Sequence, residues 1–176
     1  MYAGHLGFAL GAYSFRKTIP LWLLLIAAQF PDWLDSGMCI VNQNRGPMGL
    51  YTHGFQALTL SAFGLAALYV IVRRDLIGAG IVALTVLSHY GLDYFTGLKP
   101  TWAGGPIVGL SLYSYPIVDL ILETITIFIG WTLYRRTFPK EARSSLTVYA
   151  VLIALIGFQV IAGIAFYFEV GGGMKC

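Results

Sequence analysis

Long apolar runs broken by short basic turns dominate this chain. Residues 55–72 and 146–168 carry no charged side chain. Residues 76–92 carry only His89, and residues 116–134 only Asp119 and Glu123. A hydrocarbon core takes about 20 apolar residues per helix, so each run predicts a membrane-spanning helix. Two shorter runs come first, 3–15 and 19–30. Each predicts a helix of about 20 Å at about 1.5 Å per residue, too short for a full span but long enough to pack against a bundle. Neither has the basic leader and small-residue cleavage site of a signal peptide, so both are expected in the mature fold. The expected fold is all-α, a multi-pass membrane helical bundle of four full spans plus two shorter N-terminal helices, in one domain over 1–176.

Composition agrees. Of 176 residues, 57% are hydrophobic and 11% charged, where a soluble domain carries about 25% charge. The net charge of +3 matters less than its distribution. Arg16 and Lys17, Arg73 and Arg74, and the group Arg135, Arg136, Lys140 and Arg143 lie in alternate connections, which fall on one side of an up-and-down bundle. The positive-inside rule assigns that side to the cytoplasm of a cell (inner) membrane. Both termini and the connections 31–52 and 96–115 then face outward. Trp33, Tyr51, Tyr94, Trp102, Tyr113 and Tyr115 gather there and suit an interfacial belt or helix ends equally well. No nucleic-acid partner is expected. Cys39 and Cys176 both fall on the outer side, where a disulfide and two free thiols are both open. No Cys–His zinc spacing exists.

Against this background the polar residues stand out. Asp75 and Glu141 sit beside basic residues in the turns and read as solvated turn charges. His5, Asp32, Asp35, His53, His89, Asp93, Asp119 and Glu123 do not. From the basic turns they lie roughly 16 to 30 Å along their helices, so five segments deliver polar groups to one layer. His89 and Asp93, and Asp119 and Glu123, are spaced i,i+4 on one helix face. Asp32 and Asp35 are spaced i,i+3, just after Pro31, where the backbone is expected to turn. An ionised Asp in mid-membrane costs about 2.5–3.5 kcal/mol. Lysine and arginine on that side are too few to compensate several. Bound divalent cations would neutralise the acids and use neutral imidazoles as ligands.

Four stretches, "GHLGFALG", "PDWLD", "YTHG" and "SHYGLDYFTGLKP", in this order resemble the YdjM-like family of membrane-bound metal-dependent hydrolases over roughly residues 1–125. That family looks like a membrane-embedded relative of the zinc-dependent phospholipase C and P1 nuclease group. The resemblance implies metal ligation by His5, Asp32 or Asp35, His53, His89 and Asp93. The Asp119–Glu123 pair falls where that group has His-x-x-x-Glu. Here Asn44–Arg45 and Gly54 depart from the family's His-Arg and Ser around the T-H motif.

The expected chemistry is hydrolysis of a phosphoester in a membrane lipid or lipid-linked phosphate substrate at the outer leaflet. Two or three divalent ions, with zinc the best match to mixed His and carboxylate donors, would serve it. One of Asp32, Asp35 or Glu123 would act as base rather than ligand, and Arg45 would hold phosphate. Two other classes compete. A small ion- or proton-coupled transporter needs polar groups at successive depths, and below Glu123 only Ser61, Thr85, Thr124, Thr126 and Gln159 are available. A non-catalytic metal-binding membrane protein would bind metal without turnover.

Overall fold

The computed structural model describes residues 3–40, 52–102 and 104–172, with the side chains of 39–40 and 165–172 left aside. Six helices alternate in direction: α1 (Ala3–Phe15), α2 (Leu21–Ile40), α3 (Phe55–Arg73), α4 (Leu76–Thr96), α5 (Pro116–Arg135) and α6 (Leu146–Gly172). A two-stranded antiparallel ribbon, β1 (Lys99–Pro100) with β2 (Ile107–Val108), joins α4 to α5. Four helices, α3 to α6, are long and apolar enough to cross a membrane. Leu60, Phe63, Ile71, Ile117, Leu146 and Ile153 on these helices are all exposed. An apolar surface this extensive suits lipid rather than water.

Two features depart from the sequence expectation. The second helix is not short, and the chain does not turn at Pro31. It runs helically through that proline to Ile40, so Asp32 and Asp35 lie on a helix rather than after one. A proline brings no N–H to the helical ladder, and inside a bundle the carbonyls so freed find other donors. In the same turn the Ala28 carbonyl, next to the Ala27 carbonyl that the missing Pro31 N–H would have served, accepts from His89 Nδ1 at 3.0 Å. The second departure is the ribbon, which no alternation of apolar and polar residues announced.

Small residues set the helix spacing. The core shared by α1 to α4 is built on Ala9, Ala12, Ala27, Ala28, Ala62 and Ala79, with Leu24, Leu58, Val82 and Val86 filling between them. Between α1 and α5 the approach is closer still. A Cβ on Gly7 would lie 2.6 Å from Ile127 Cα, and one on Gly130 would collide with the Gly7 carbonyl. Where lipid removes the hydrophobic drive between helices, such backbone contact supplies the packing. It lets a 13-residue helix dock deep in the bundle.

At one end the three basic connections meet. Arg16 Nε donates to Asp75 Oδ2 at 2.8 Å, Lys17 Nζ to the Thr137 carbonyl at 2.8 Å, and Arg73 to the Thr18 carbonyl at 3.5 Å. Arg135 lies 5.4 Å from the ring centres of both Trp131 and Tyr149. The alternation inferred from charge therefore holds, with all three turns at one end. Asp75 is more than a solvated turn charge, because it also caps α4 by accepting from Gly78 N–H at 3.0 Å.

Candidate metal centre

At the opposite end, five of the eight polar residues singled out in the sequence converge. α1 supplies His5, α2 supplies Asp32, the residue before the Gly54 cap of α3 is His53, and α4 supplies His89 and Asp93. His5 and His89 are wholly buried and Asp93 is 2% exposed. Two triads arise, His5–His89–Asp93 and Asp32–His53–His89, each with donor atoms within 4.8 Å of one another. His89 belongs to both.

The hydrogen bond to Ala28 decides what His89 presents. A carbonyl only accepts, so Nδ1 carries the proton, and in the neutral ring Nε2 carries the lone pair. That Nε2 is buried without a hydrogen-bond partner. It lies 3.4 Å from Asp32 Oδ1 and 3.5 Å from Asp93 Oδ2. An acceptor thus faces two acceptors, and only a proton or a metal ion between them makes the arrangement favourable. His5 stacks on His89, ring centres 3.8 Å apart and planes 11° off parallel, a poor geometry for two cationic rings. His5 Nε2 lies 3.3 Å from Asp93 Oδ1, and its buried Nδ1 has no hydrogen-bond partner. His53 Nε2 lies 3.0 Å from Asp32 Oδ1 and 3.8 Å from Asp93 Oδ2. A tetrahedral ion with bonds of about 2.0–2.1 Å spaces its donors about 3.3 Å apart. The separations of 3.0 to 3.8 Å are of that size.

The remaining acids do other work. Asp35 accepts at 3.5 Å from the Thr52 hydroxyl, whose oxygen lies 2.9 Å from His53 Nδ1. It meets the far side of His53 through Thr52 and joins neither triad. Glu123 Oε2 accepts from Ala3 N–H at 2.9 Å and Gly4 N–H at 3.0 Å, while Gln159 Oε1 accepts from Ala3 N–H at 3.2 Å. These are N–H groups of the first turn of α1, which lack intrahelical partners. Glu123 stands outside both triads, and its carboxylate caps and docks the helix that carries His5. Asp119, one turn earlier on α5, is 7% exposed and also stands outside both triads. Arg45 and Cys176 lie outside the described residues, as does the side chain of Cys39.

Lys99 was passed over in the sequence as one of too few cations. Its Nζ lies 2.9 Å from Asp93 Oδ2, with 14% of the side chain exposed. Spacing along one helix could not reveal it, since it reaches back from the ribbon beyond the end of α4. Tyr113, for which an interfacial belt and a helix end were both open, hydrogen-bonds Thr96, and its phenol is pushed well above the usual range by burial and then by the Asp93 charge. It remains an O–H donor at neutral pH.

No protein-family model, curated protein or solved structure matches this chain.

Proposed function

We propose that this chain is a membrane-embedded, metal-dependent hydrolase that cleaves a phosphoester of a lipid or lipid-linked substrate. The observation that carries the reading is the His89 ring, locked by Ala28 so that its Nε2 lone pair faces Asp32 and Asp93. The donor set fits a divalent ion, and its residues carry three buried atoms without a hydrogen-bond partner, His89 Nε2, His5 Nδ1 and Asp32 Oδ2. His53, His89, Asp32 and Asp93 would hold one ion. His5 with Asp93 Oδ1 would contribute to a second. Such ions supply Lewis-acid polarisation of a phosphoryl oxygen and water acidified toward neutral pH.

The chain's own groups divide the remaining work. Asp32, with 18% of its side chain exposed, would complete the ligand set from α2. Asp93, buried among three imidazoles, fixes their relative positions. Thr52 and Asp35 orient His53 from behind. Glu123 holds α1 so that His5 meets Asp93. By the positive-inside rule the basic turns are cytoplasmic, and the site opens on the non-cytoplasmic side with both termini there. The resemblance to the YdjM-like hydrolases supports the same chemistry.

An ion path through the bundle has less support. Thr85 and Thr126 spend their hydroxyls on the Ile81 and Leu122 carbonyls of their own helices. Beyond the site, the core described above is mostly aliphatic, with Tyr69 its one buried aromatic. Metal analysis of detergent-purified protein, paired with phosphate or headgroup release from a phospholipid panel, tests the proposal. Stoichiometric zinc, absent from His89→Ala, together with metal-dependent release is expected. Wild-type protein that takes up no metal under any divalent-ion supply overturns it. Metal without turnover on any lipid returns the site to a structural role.

A further inference from the structure

Lys99 follows α4 by three residues, and its ribbon is tied to the helices that carry the site. Leu110 N–H donates to the Tyr94 carbonyl at 2.8 Å, and Phe55 N–H to the Thr101 carbonyl at 2.9 Å. Gly109 sits at φ +138°, and a Cβ there would run into the Gly97 carbonyl. The ribbon therefore lies directly on the end of α4. The Lys99 stem passes Gly97, with Cε 3.1 Å from where a Cβ would stand. Its ammonium reaches the oxygen of Asp93 that also lies 3.5 Å from His89 Nε2 and 3.8 Å from His53 Nε2. This is a positioned cation rather than a wandering surface amine.

One carboxylate oxygen cannot serve an ammonium and a divalent ion equally well. The two cations repel at close range, and in a poorly solvated site that repulsion is weakly screened. An anion that accepts N–H bonds from the lysine relieves it. We propose that Lys99 holds Asp93 in the metal-free site and turns to bind a phosphoryl oxyanion once a divalent ion engages Asp93. This rests on the metal-site reading above and adds to it a residue that contacts substrate. The ligand class is an oxyanion with several acceptor oxygens, either a phosphate-bearing lipid headgroup or free phosphate. A lysine suits it as a compact charge with three donors.

The experiment compares wild type with Lys99→Gln in detergent. Zinc affinity is read by competition with a chromophoric chelator, and inorganic phosphate binding to the zinc-loaded protein by equilibrium dialysis. Lys99→Gln should bind zinc as tightly as wild type or up to about tenfold more tightly, having lost a competing cation. It should bind phosphate about tenfold or more weakly. Unchanged phosphate binding, or zinc and phosphate affinity falling together, overturns the proposal. The second outcome would make Lys99 a mere support for Asp93.

A wild-type measurement serves if the variant fails to fold. Acetylation of Lys99, followed by peptide mass spectrometry, should be slow without metal, faster with zinc, and slow again with zinc and phosphate. Equal rates in the three states overturn the proposal. Nanodiscs doped with phosphatidate, compared with phosphatidylcholine nanodiscs plus inorganic phosphate, separate the two sources. Protection by either upholds the proposal, and protection by neither overturns it. A failure of the metal reading itself is distinguishable, because it shows as absence of zinc from wild type.

Discussion

Two aspartates bracket α4, and they teach opposite lessons. Asp75 precedes its first turn and Asp93 lies in its last. Each has a basic partner, Arg16 at 2.8 Å and Lys99 at 2.9 Å. Asp75 sits where a helix favours negative charge, accepts from Gly78 N–H, and is only partly buried. Asp93 sits where the helix dipole opposes negative charge, by about 0.3–1 kcal/mol, and it is buried besides. Stability alone selects the first arrangement and works against the second. The chain nevertheless surrounds Asp93 with three imidazoles and an ammonium, an investment that makes sense for binding rather than for folding. The basic end is composed of satisfied caps and ion pairs, whereas the histidine end keeps buried acceptors facing one another.

The contrast is sharpest at the aspartates themselves. Asp93→Asn should lower divalent-ion affinity by more than about 100-fold, beyond the loss typical of groups that only support a ligand. Asp75→Asn should leave it unchanged, and chelator competition on both proteins checks this. Equal losses would erase the distinction between the ends. Next in size is Gly130→Leu. A side chain there must displace the α1 backbone at Gly7, and overpacking of this kind costs about 1–3 kcal/mol or more. Thermal unfolding in detergent should show the loss, and zinc affinity should fall with it because His5 rides on α1. A Gly130→Leu protein with wild-type melting would break the link between helix docking and site.

Thr52→Val should reduce metal affinity by about 10–100-fold, the usual effect of a group that orients a ligand histidine. Thr52→Ser should restore it, since the hydroxyl rather than the methyl bridges Asp35 and His53. The smallest effect concerns acid. Asp75's carboxyl is held below its usual value by the Gly78 N–H first and by Arg16 as well. A depressed folded-state value means that its contribution is complete above the ordinary aspartate range, near 3.9. It fades as pH falls below that range. Melting temperatures of wild type and Asp75→Asn should therefore differ slightly at neutral pH and converge in strong acid.

Much of this was legible in the linear chain. Apolar length marked α3 to α6 to within a few residues, because a helix that satisfies its own backbone in lipid needs only composition and length. Positions of Arg and Lys marked the basic end, since alternate turns of an antiparallel bundle must share a side. The i,i+4 spacing put His89 and Asp93 on one face. Pro31 misled, because a helix packed among neighbours tolerates the one hydrogen bond a proline removes, and the chain runs helically through it. The docking role of Glu123 was not legible either. Nothing in its own neighbourhood says that the start of α1, 119 residues away in sequence from Gly4 to Glu123, needs an acceptor.

The sequence by itself determined that the chain is an all-helical bundle with four helices fit to cross a membrane, and which polar residues are too costly to be incidental. Those properties follow from hydropathy and helical periodicity, which are local. Only the tertiary structure decided which of the eight polar residues meet, that His89 turns its lone pair toward two carboxylates, and that Lys99 shares one of them. Those depend on which helices touch, on the backbone approach that Gly7 and Gly130 permit, and on the ring nitrogen that Ala28 claims. Contacts between distant segments carry no signature in either segment alone.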